Sequence, residues 1–166
     1  MMMGGSQGSV KVNKFLRESL DELLKSFCVI HLCGKGNYDK SLDGREGYKQ
    51  FEYASDELKD LFAACDIVVS RAGSLSISEI CASGAAPILI PFPHAAANHQ
   101  RINAKYLVEM GACVYLEDKD LEPNKLRETI YSLLDNPIKM NYLKQNSSYL
   151  AKFDATEKIV ECIKSL

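Results

Sequence analysis

Short apolar runs alternate with amphipathic segments along most of the chain. Continuously apolar runs predict strands at 28–33, 66–70, 86–92 and 112–116, with a weaker strand at 48–53. Apolar residues recurring every three or four positions predict helices after residue 9, through 58–62, and at 74–83, 98–110, 122–134, 138–150 and 154–166. Hardly any strand precedes the glycine-rich stretch GGSQGS at residues 4–9. The alternation predicts an α/β fold with a parallel sheet covered by helices on both faces.

Composition narrows the class of protein without identifying a function. The chain has 166 residues, which suits one domain, and 46% of them are hydrophobic. Its formal charge of −2 gives no reason to expect a nucleic-acid partner, which would require clustered Lys and Arg. No signal peptide is recognisable, and no apolar run reaches the roughly 18 residues of a membrane span. The six cysteines lack metal-ligand spacing, so we expect buried, reduced thiols and a cytoplasmic location.

The loops that follow the strands are the places to look for a ligand site, because open parallel sheets bind ligands at the carboxyl ends of their strands. In GGSQGS, the glycines allow close backbone approach, and the following helix N-terminus favours an anion near Gly5, Ser6 and Gln7. The spacing matches neither a dinucleotide fingerprint nor a P-loop. Phosphate binding and a simple tight turn both remain open for this stretch.

The stretch SRAGSLSISE at residues 70–79 predicts a second anion site. Gly73 opens a helix whose first amides, at Ser74, Leu75 and Ser76, have no partner within the helix. Glu79 follows about one turn later, where its carboxylate could accept hydrogen bonds from the two hydroxyls of a ribose. The alternative reading of Glu79 is a capping acid of the helix start.

The stretch PFPHAAANHQ at residues 91–100 supplies polar groups after a third strand. Asn98, His99 and Gln100 stand where a helix begins and could read sugar hydroxyls, although Asn98 also suits an N-cap. His94 could be a ligand contact or a turn residue. His31 lies inside an apolar strand, so we expect a hydrogen-bonded core histidine.

Other kinds of catalytic site have little support in the sequence. No Ser-His-Asp constellation and no metal-ligand spacing can be recognised. The stretch DKD at residues 118–120 has the Asp-x-Asp form of metal-dependent sugar transferases, but its place in an acidic turn predicts solvated charge. We therefore expect no metal site and no cofactor.

Taken together, GGSQGS, H-x-x-GKGN, SRAGSLSISE and PFPHAAANHQ occur in an order that resembles the C-terminal, donor-binding domain of glycosyltransferase family 28. The resemblance covers nearly the whole chain. It implies the second, Rossmann-like half of a GT-B enzyme, with residues 1–166 forming one donor-binding domain and the N-terminal acceptor domain absent from this chain. It implies an inverting transfer of N-acetylglucosamine from UDP-N-acetylglucosamine to lipid I, forming lipid II for peptidoglycan.

The resemblance also implies roles for individual residues. The donor phosphates would meet Gly5, Ser6 and Gln7, and the amides of Ser74, Leu75 and Ser76 beside Gly73. Glu79 would take both ribose hydroxyls, while Gln100 and His99 would read the sugar. Phe51 and Glu52 would lie near the uracil, although this last match is loose. No catalytic residue is expected in this chain, since the general base would belong to the acceptor domain.

Two other functions are compatible with the same residues. The chain could be a stand-alone catalytic subunit that pairs with a separate membrane-anchored subunit, or a UDP-sugar-binding, epimerase-like module. In the lipid II reading, the full-length enzyme is peripheral at the inner face of the cell membrane, and the missing half makes the membrane and lipid I contacts. The last predicted helix carries an apolar stripe, Ala155, Ile159, Ile163 and Leu166, which we expect to be partly exposed.

Overall fold

The computed structural model describes residues 1–5 and 8–165, and its strands and helices are numbered here in chain order. The strands are β1 (Met2–Met3), β2 (Val29–Leu32), β3 (Tyr48–Phe51), β4 (Ile67–Ser70), β5 (Ala86–Leu89) and β6 (Val114–Tyr115). The α-helices are α1 (Val10–Leu23), α2 (Leu58–Ala63), α3 (Ser74–Ser83), α4 (His99–Glu109), α5 (Pro123–Leu134), α6 (Pro137–Tyr149) and α7 (Ala155–Lys164). Short 3-10 turns cover Lys40–Leu42, Ala96–Asn98 and Asp118–Asp120.

All six strands belong to one parallel sheet in the order β3-β2-β1-β4-β5-β6. The predicted parallel α/β fold is therefore confirmed. β1 has only two residues, yet it lies in the middle of the sheet, where Met2 pairs with His31 on one side and Val69 on the other. The sequence pattern could not reveal it, because two residues are too few for a period.

Alternating strand residues face two separate hydrophobic clusters. Met2, Val69 and Ile88 belong to the cluster under α1 and α5. Their chain neighbours Met3, Val68 and Leu89 belong to the cluster under α2, α3 and α4. Side chains on a strand alternate between its faces, so this division shows that helices cover both sides of the sheet.

The helices begin and end within one or two residues of the predicted positions, whereas most strands are shorter than predicted. The run at 86–92, for example, is apolar to its end, but the strand stops at Leu89: the Ile90 amide still donates to the Ser70 carbonyl, and Pro91 has no amide with which to continue the pairing. The last helix exposes its apolar stripe as expected: Ile159 and Ile163 are 60% and 64% accessible. Leu166 lies outside the described residues.

The cysteines fit the expectation only in part. All six are free, and Cys33, Cys81 and Cys113 are buried. Cys28 and Cys162 are exposed, so the expectation of buried thiols is wrong for these two. Cys162 lies on α7, whose residues are all exposed, and Cys28 lies directly before β2, so an apolar sequence context did not guarantee burial. Within the described residues, no helix is long and apolar enough to cross a membrane.

Candidate functional site

The predicted loops meet at one crevice of the sheet. The chain leaves β1 towards β2 and β3 on one side, and then crosses to β4, β5 and β6 on the other. The loops after β1 and β4 therefore flank the point where the strand order reverses, which is the usual ligand site of such sheets. A cavity of about 420 Å³ lies at the opposite edge, where mainly apolar side chains around Met1, Phe27 and Ile67 line it.

The loop after β1 is a tight turn that brings the start of α1 into the crevice. Gly5 has a φ of +85° and accepts a hydrogen bond from the Gly8 amide at 2.9 Å. At Gly8 a Cβ would lie 2.0 Å from the Cys33 carbonyl oxygen, so only glycine fits. Ser9 caps α1 by accepting a hydrogen bond from the Val12 amide at 3.4 Å. The predicted contacts Ser6 and Gln7 lie outside the described residues.

The loop after β4 presents the start of α3 without a side-chain cap. Gly73 is the N-cap, and the first helical bond runs from the Ile77 amide to its carbonyl. Within the described part of the chain, the amides of Ser74, Leu75 and Ser76 have no partner. The φ of Gly73 is an ordinary −68°, and a Cβ there would meet no described atom within 4 Å. Three free amides thus face open space at the positive end of the helix.

Glu79 lies farther along α3 and lines a groove of about 400 Å³ between α2 and α3. Ser55, Phe62 and Ser83 also line this groove. No described group donates a hydrogen bond to the Glu79 carboxylate, and desolvation by burial raises its pKa. Glu79 is the sixth residue of α3, and its carboxylate accepts no hydrogen bond from the amides of the first turn of that helix. The capping-acid reading is therefore wrong, and the carboxylate remains available to a ligand.

Gln100 lies at the start of α4 and joins two strand-end loops. Its Oε1 accepts hydrogen bonds from the Ala72 amide at 3.1 Å and from the Phe92 amide at 2.9 Å. Asn103, one turn later, donates to the Ala72 carbonyl at 3.1 Å. Because the carbonyl end of Gln100 is occupied, its NH2 group is the end left for a ligand. No role was predicted for Asn103 from the sequence.

The neighbours of Gln100 differ in part from expectation. Asn98 stands at the N-cap position of α4, as expected, but its φ is +54° and its side chain makes no capping hydrogen bond. Ala97, with a φ of +48°, and Asn98 form a left-handed turn directly before the helix. His99 is exposed, and its Nδ1 lies 2.8 Å from the Ala96 carbonyl oxygen. His94 is exposed and lies edge-on to the Phe92 ring, with the ring centres 5.6 Å apart.

Phe51 and Glu52, the expected uracil neighbours, both contact the loop after β2. The Phe51 carbonyl accepts a hydrogen bond from the Cys33 amide at 2.9 Å. Glu52 Oε1 accepts one from the Gly36 amide. The Phe51 ring packs against the cluster under α2, α3 and α4. Both residues thus stand at the carboxyl edge of the sheet, with part of their bonding capacity used within the protein.

His31 is a core residue, as predicted. It is fully buried, with Nδ1 2.8 Å from the Tyr48 hydroxyl and Nε2 2.9 Å from Asn13 Oδ1. The Asn13 amide nitrogen donates to the Cys33 carbonyl, so its oxygen accepts from His31, and Tyr48 donates to the other ring nitrogen. Burial, with the nearby Arg17 charge, lowers the pKa of His31 to about 4, and the ring is neutral.

Arg71 and Asp118 form a buried network that the sequence did not reveal. Arg71 donates to Asp118 Oδ1 at 2.6 Å, to the Ile90 carbonyl at 3.1 Å and to Ser9 Oγ at 3.0 Å. Lys11 donates to Asp118 Oδ2 at 2.8 Å. The predicted solvated charge is therefore wrong for Asp118, although Asp120 is exposed. The sequence feature that could have indicated this network is Arg71, a charged residue directly after an apolar strand.

The electrostatics of this network follow from its geometry. Burial alone would raise the pKa of Asp118, but the hydrogen bonds from Lys11 and Arg71 outweigh it, and the pKa lies below its usual value. Both carboxylate oxygens are engaged by cations. Among residues 1–5 and 8–165, no group of three or more His, Cys, Asp or Glu side chains could hold a metal ion.

Comparisons with known proteins identify the family of the chain. The profile of the Glycosyltransferase family 28 C-terminal domain matches residues 1–161. A Legionella pneumophila (strain Corby) UDP-N-acetylglucosamine--N-acetylmuramyl-(pentapeptide) pyrophosphoryl-undecaprenol N-acetylglucosamine transferase is 43% identical over 99% of this chain and 45% of its own length. A Thermoanaerobacter sp. (strain X514) protein of the same name is 38% identical over 99% of this chain and 47% of its own length.

A solved structure shares the fold. The crystal structure of Acinetobacter baumannii MurG superposes with a TM-score of 0.82 at 24% identity, covering all of this chain and 49% of that one. The chain thus spans about half the length of the relatives it matches. Because the family profile covers almost the whole chain, the protein belongs to glycosyltransferase family 28 and corresponds to the C-terminal domain of that family.

Proposed function

We propose that this chain is the UDP-N-acetylglucosamine-binding half of a transferase that adds N-acetylglucosamine to lipid I and so forms lipid II. One observation carries the proposal: the helices that follow β1 and β4 begin at the two loops that flank the switch point of the sheet, and no described group donates a hydrogen bond to Glu79 on the second of these helices. This set of groups complements a nucleoside diphosphate, which presents an anion next to a vicinal diol. Relatives 38–43% identical to this chain are named as transferases that use UDP-N-acetylglucosamine and a pyrophosphoryl-undecaprenol acceptor, which supports this choice of sugar and acceptor.

In this proposal, each part of the donor meets one part of the crevice. The diphosphate lies between Gly5 and the free amides of Ser74–Ser76. The groove beside Glu79 takes the ribose, with each carboxylate oxygen accepting from one hydroxyl, and the uracil extends towards Phe51 and Glu52. The NH2 group of Gln100 donates to an oxygen of the sugar, with His99 beside it.

The chemistry assigned to this chain is stabilisation of the leaving group. The acceptor hydroxyl loses its proton to a base outside this chain and attacks the anomeric carbon, the bond from that carbon to the diphosphate oxygen breaks, and UDP leaves with the electron pair. Fixed amides and helix dipoles aimed at the diphosphate stabilise the negative charge that develops there. The donor carries its own leaving group, and both Asp118 oxygens are held by cations, so the proposal needs no cofactor or metal ion.

The remaining functions are assigned to the half of the relatives that this chain does not match. The proposal places lipid I, the general base and the contact with the inner face of the membrane in that N-terminal domain. The exposed apolar stripe of α7 around Ile159 and Ile163 is a surface on which the domain can pack. In this proposal, the isolated chain binds the donor without measurable transfer, because reaction requires an acceptor held in line and a base within reach.

Isothermal calorimetry in EDTA tests donor binding directly. We expect UDP and UDP-N-acetylglucosamine to bind, with UMP weaker than UDP because the second phosphate is missing. Binding that depends strictly on Mg²⁺ or Mn²⁺ would contradict the metal-free site. Equal affinities for UDP and UMP would contradict the diphosphate site.

A chimaera tests the activity. The part of the Legionella relative that this chain does not match is joined to residues 1–166, and transfer to a soluble lipid I analogue is measured. We expect transfer by the chimaera, none by this chain alone, and little by a chimaera carrying Glu79→Gln. Turnover by the isolated chain would instead require a base within it, for which the exposed His94 and His99 are the candidates.

A further inference from the structure

Arg71 connects the loops that follow β1, β4, β5 and β6. It follows β4 directly, donates to Ser9 Oγ after β1, and donates to the Ile90 carbonyl after β5. Its guanidinium also lies over the Phe92 ring, 5.5 Å from the ring centre. Its side chain is only 7% accessible, so its charge is well shielded from water. A buried cation in this position requires an anion beside it.

Asp118 supplies that anion and holds a second cation as well. Its Oδ1 accepts from Arg71 at 2.6 Å and its Oδ2 accepts from Lys11 at 2.8 Å. Lys11 belongs to the first turn of α1, whereas Arg71 lies two residues before the N-cap of α3. One carboxylate therefore ties together the two helix starts that face the crevice, although it contributes no group to the site itself.

We propose that Asp118 is a positioning residue, which fixes the start of α1 against the start of α3 so that both present their amides to one diphosphate. This inference rests on the proposed donor site. Binding groups must be held within a fraction of an ångström to act on the same ligand, and the supporting contacts decide whether they are.

A simpler role for Asp118 predicts the opposite result. If its carboxylate acted only as a negative charge near a site for anions, removing the charge would strengthen UDP binding. If it acts as a positioning residue, removing the charge frees Arg71 and Lys11 and weakens UDP binding. The direction of the change therefore distinguishes the two roles.

The experiment compares Asp118→Asn with Asp120→Asn, an exposed aspartate in the same turn. We expect Asp118→Asn to weaken UDP binding about tenfold in calorimetry at fixed ionic strength, and Asp120→Asn to leave it within about twofold. Uridine, which has no phosphate, is titrated by NMR as the matched ligand, and its affinity should stay the same in both variants. UDP binding by Asp118→Asn that equals or exceeds that of the wild type would overturn the inference.

Asp118→Glu keeps the negative charge but moves the carboxylate, so it distinguishes an effect of position from an effect of charge. It also keeps the inference testable if Asp118→Asn does not fold. It keeps both ion pairs charged, so we expect it to fold, but the extra methylene displaces Arg71 or Lys11. Positioning predicts weaker UDP binding with unchanged uridine binding, whereas a charge effect predicts wild-type affinity for both. Absence of UDP binding by the wild-type chain would refute the proposed function, and wild-type affinity in Asp118→Glu would refute the positioning role alone.

Discussion

Gln100 accepts a hydrogen bond from the amide of Ala72, 28 positions earlier in the chain, at 3.1 Å. The same Oε1 accepts from the Phe92 amide, so one side-chain oxygen joins the loops after β4 and β5. These two hydrogen bonds occupy Oε1, so the NH2 end of the Gln100 side chain is the end left to face the crevice. Gln100 can therefore offer only hydrogen-bond donors to a ligand.

This orientation predicts that Gln100→Glu and Gln100→Ala will differ. The glutamate keeps an acceptor for both amides but loses the NH2 group, and it adds a negative charge beside the donor sugar. We expect Gln100→Glu to retain stability within about 0.5 kcal/mol while UDP-N-acetylglucosamine binding weakens. Gln100→Ala should also lose about 1–3 kcal/mol of stability, because two amides lose their acceptor. Thermal unfolding and calorimetry measure the two effects.

UDP, which has no sugar, is the control ligand for these variants. We expect both variants to lose less affinity for UDP than for UDP-N-acetylglucosamine, relative to the wild type. An equal loss for the two ligands would show that Gln100 only supports the loops.

Gly73→Ser should stabilise the fold slightly and weaken UDP binding. The φ of Gly73 suits any residue, a Cβ there is free of described neighbours, and serine is an equal or better N-cap. The new hydroxyl would accept from an early amide of α3, which is a donor that the diphosphate needs. We expect a gain of a few tenths of a kcal/mol in stability and a loss of about 1 kcal/mol in UDP binding. Unchanged UDP binding would show that the α3 start is not part of the site.

Glu79→Gln should weaken UDP binding far more than folding. The amide offers one neutral acceptor in place of two charged oxygens, which should cost about 1.5–3 kcal/mol of binding. Folding should be unaffected or improved, since burial already disfavours the charged form of Glu79 and raises its pKa. Calorimetry with UDP, and denaturation of the free protein, test the two statements.

Deoxyuridine diphosphate provides the matched control for this variant. One hydroxyl is missing from this ligand, so the penalty for Glu79→Gln should be smaller than with UDP. A penalty of the same size for both ligands would mean that Glu79 does not bind the diol.

The sequence predicted the parts of the site that depend on local order, and it did not predict those that depend on distant contacts. The free amides after Gly73 follow from a helix that begins there, which the sequence shows directly. The burial of Asp118 depends on Arg71, 47 positions away, so its local acidic context was misleading. The orientation of Gln100 likewise depends on two amides outside its own helix.

Acid should destabilise the fold through His31. Its pKa is about 4 in the folded chain and 6.5 in an unfolded one, so between these values the unfolded state binds more protons. The contribution is complete above about pH 6.5 and is lost as the pH falls towards 4, by about 3 kcal/mol in total. Urea unfolding between pH 7 and 4.5 measures this loss above the range in which Asp118 titrates.

The control for His31 is His94→Gln, which removes an exposed histidine. This variant should retain the full pH dependence, because no buried group is altered. His31→Gln should be less stable at pH 7, since its amide cannot reproduce both ring contacts with Tyr48 and Asn13. Its stability should nevertheless depend much less on pH between 7 and 4.5. An unchanged slope in His31→Gln would assign the acid sensitivity to a different group.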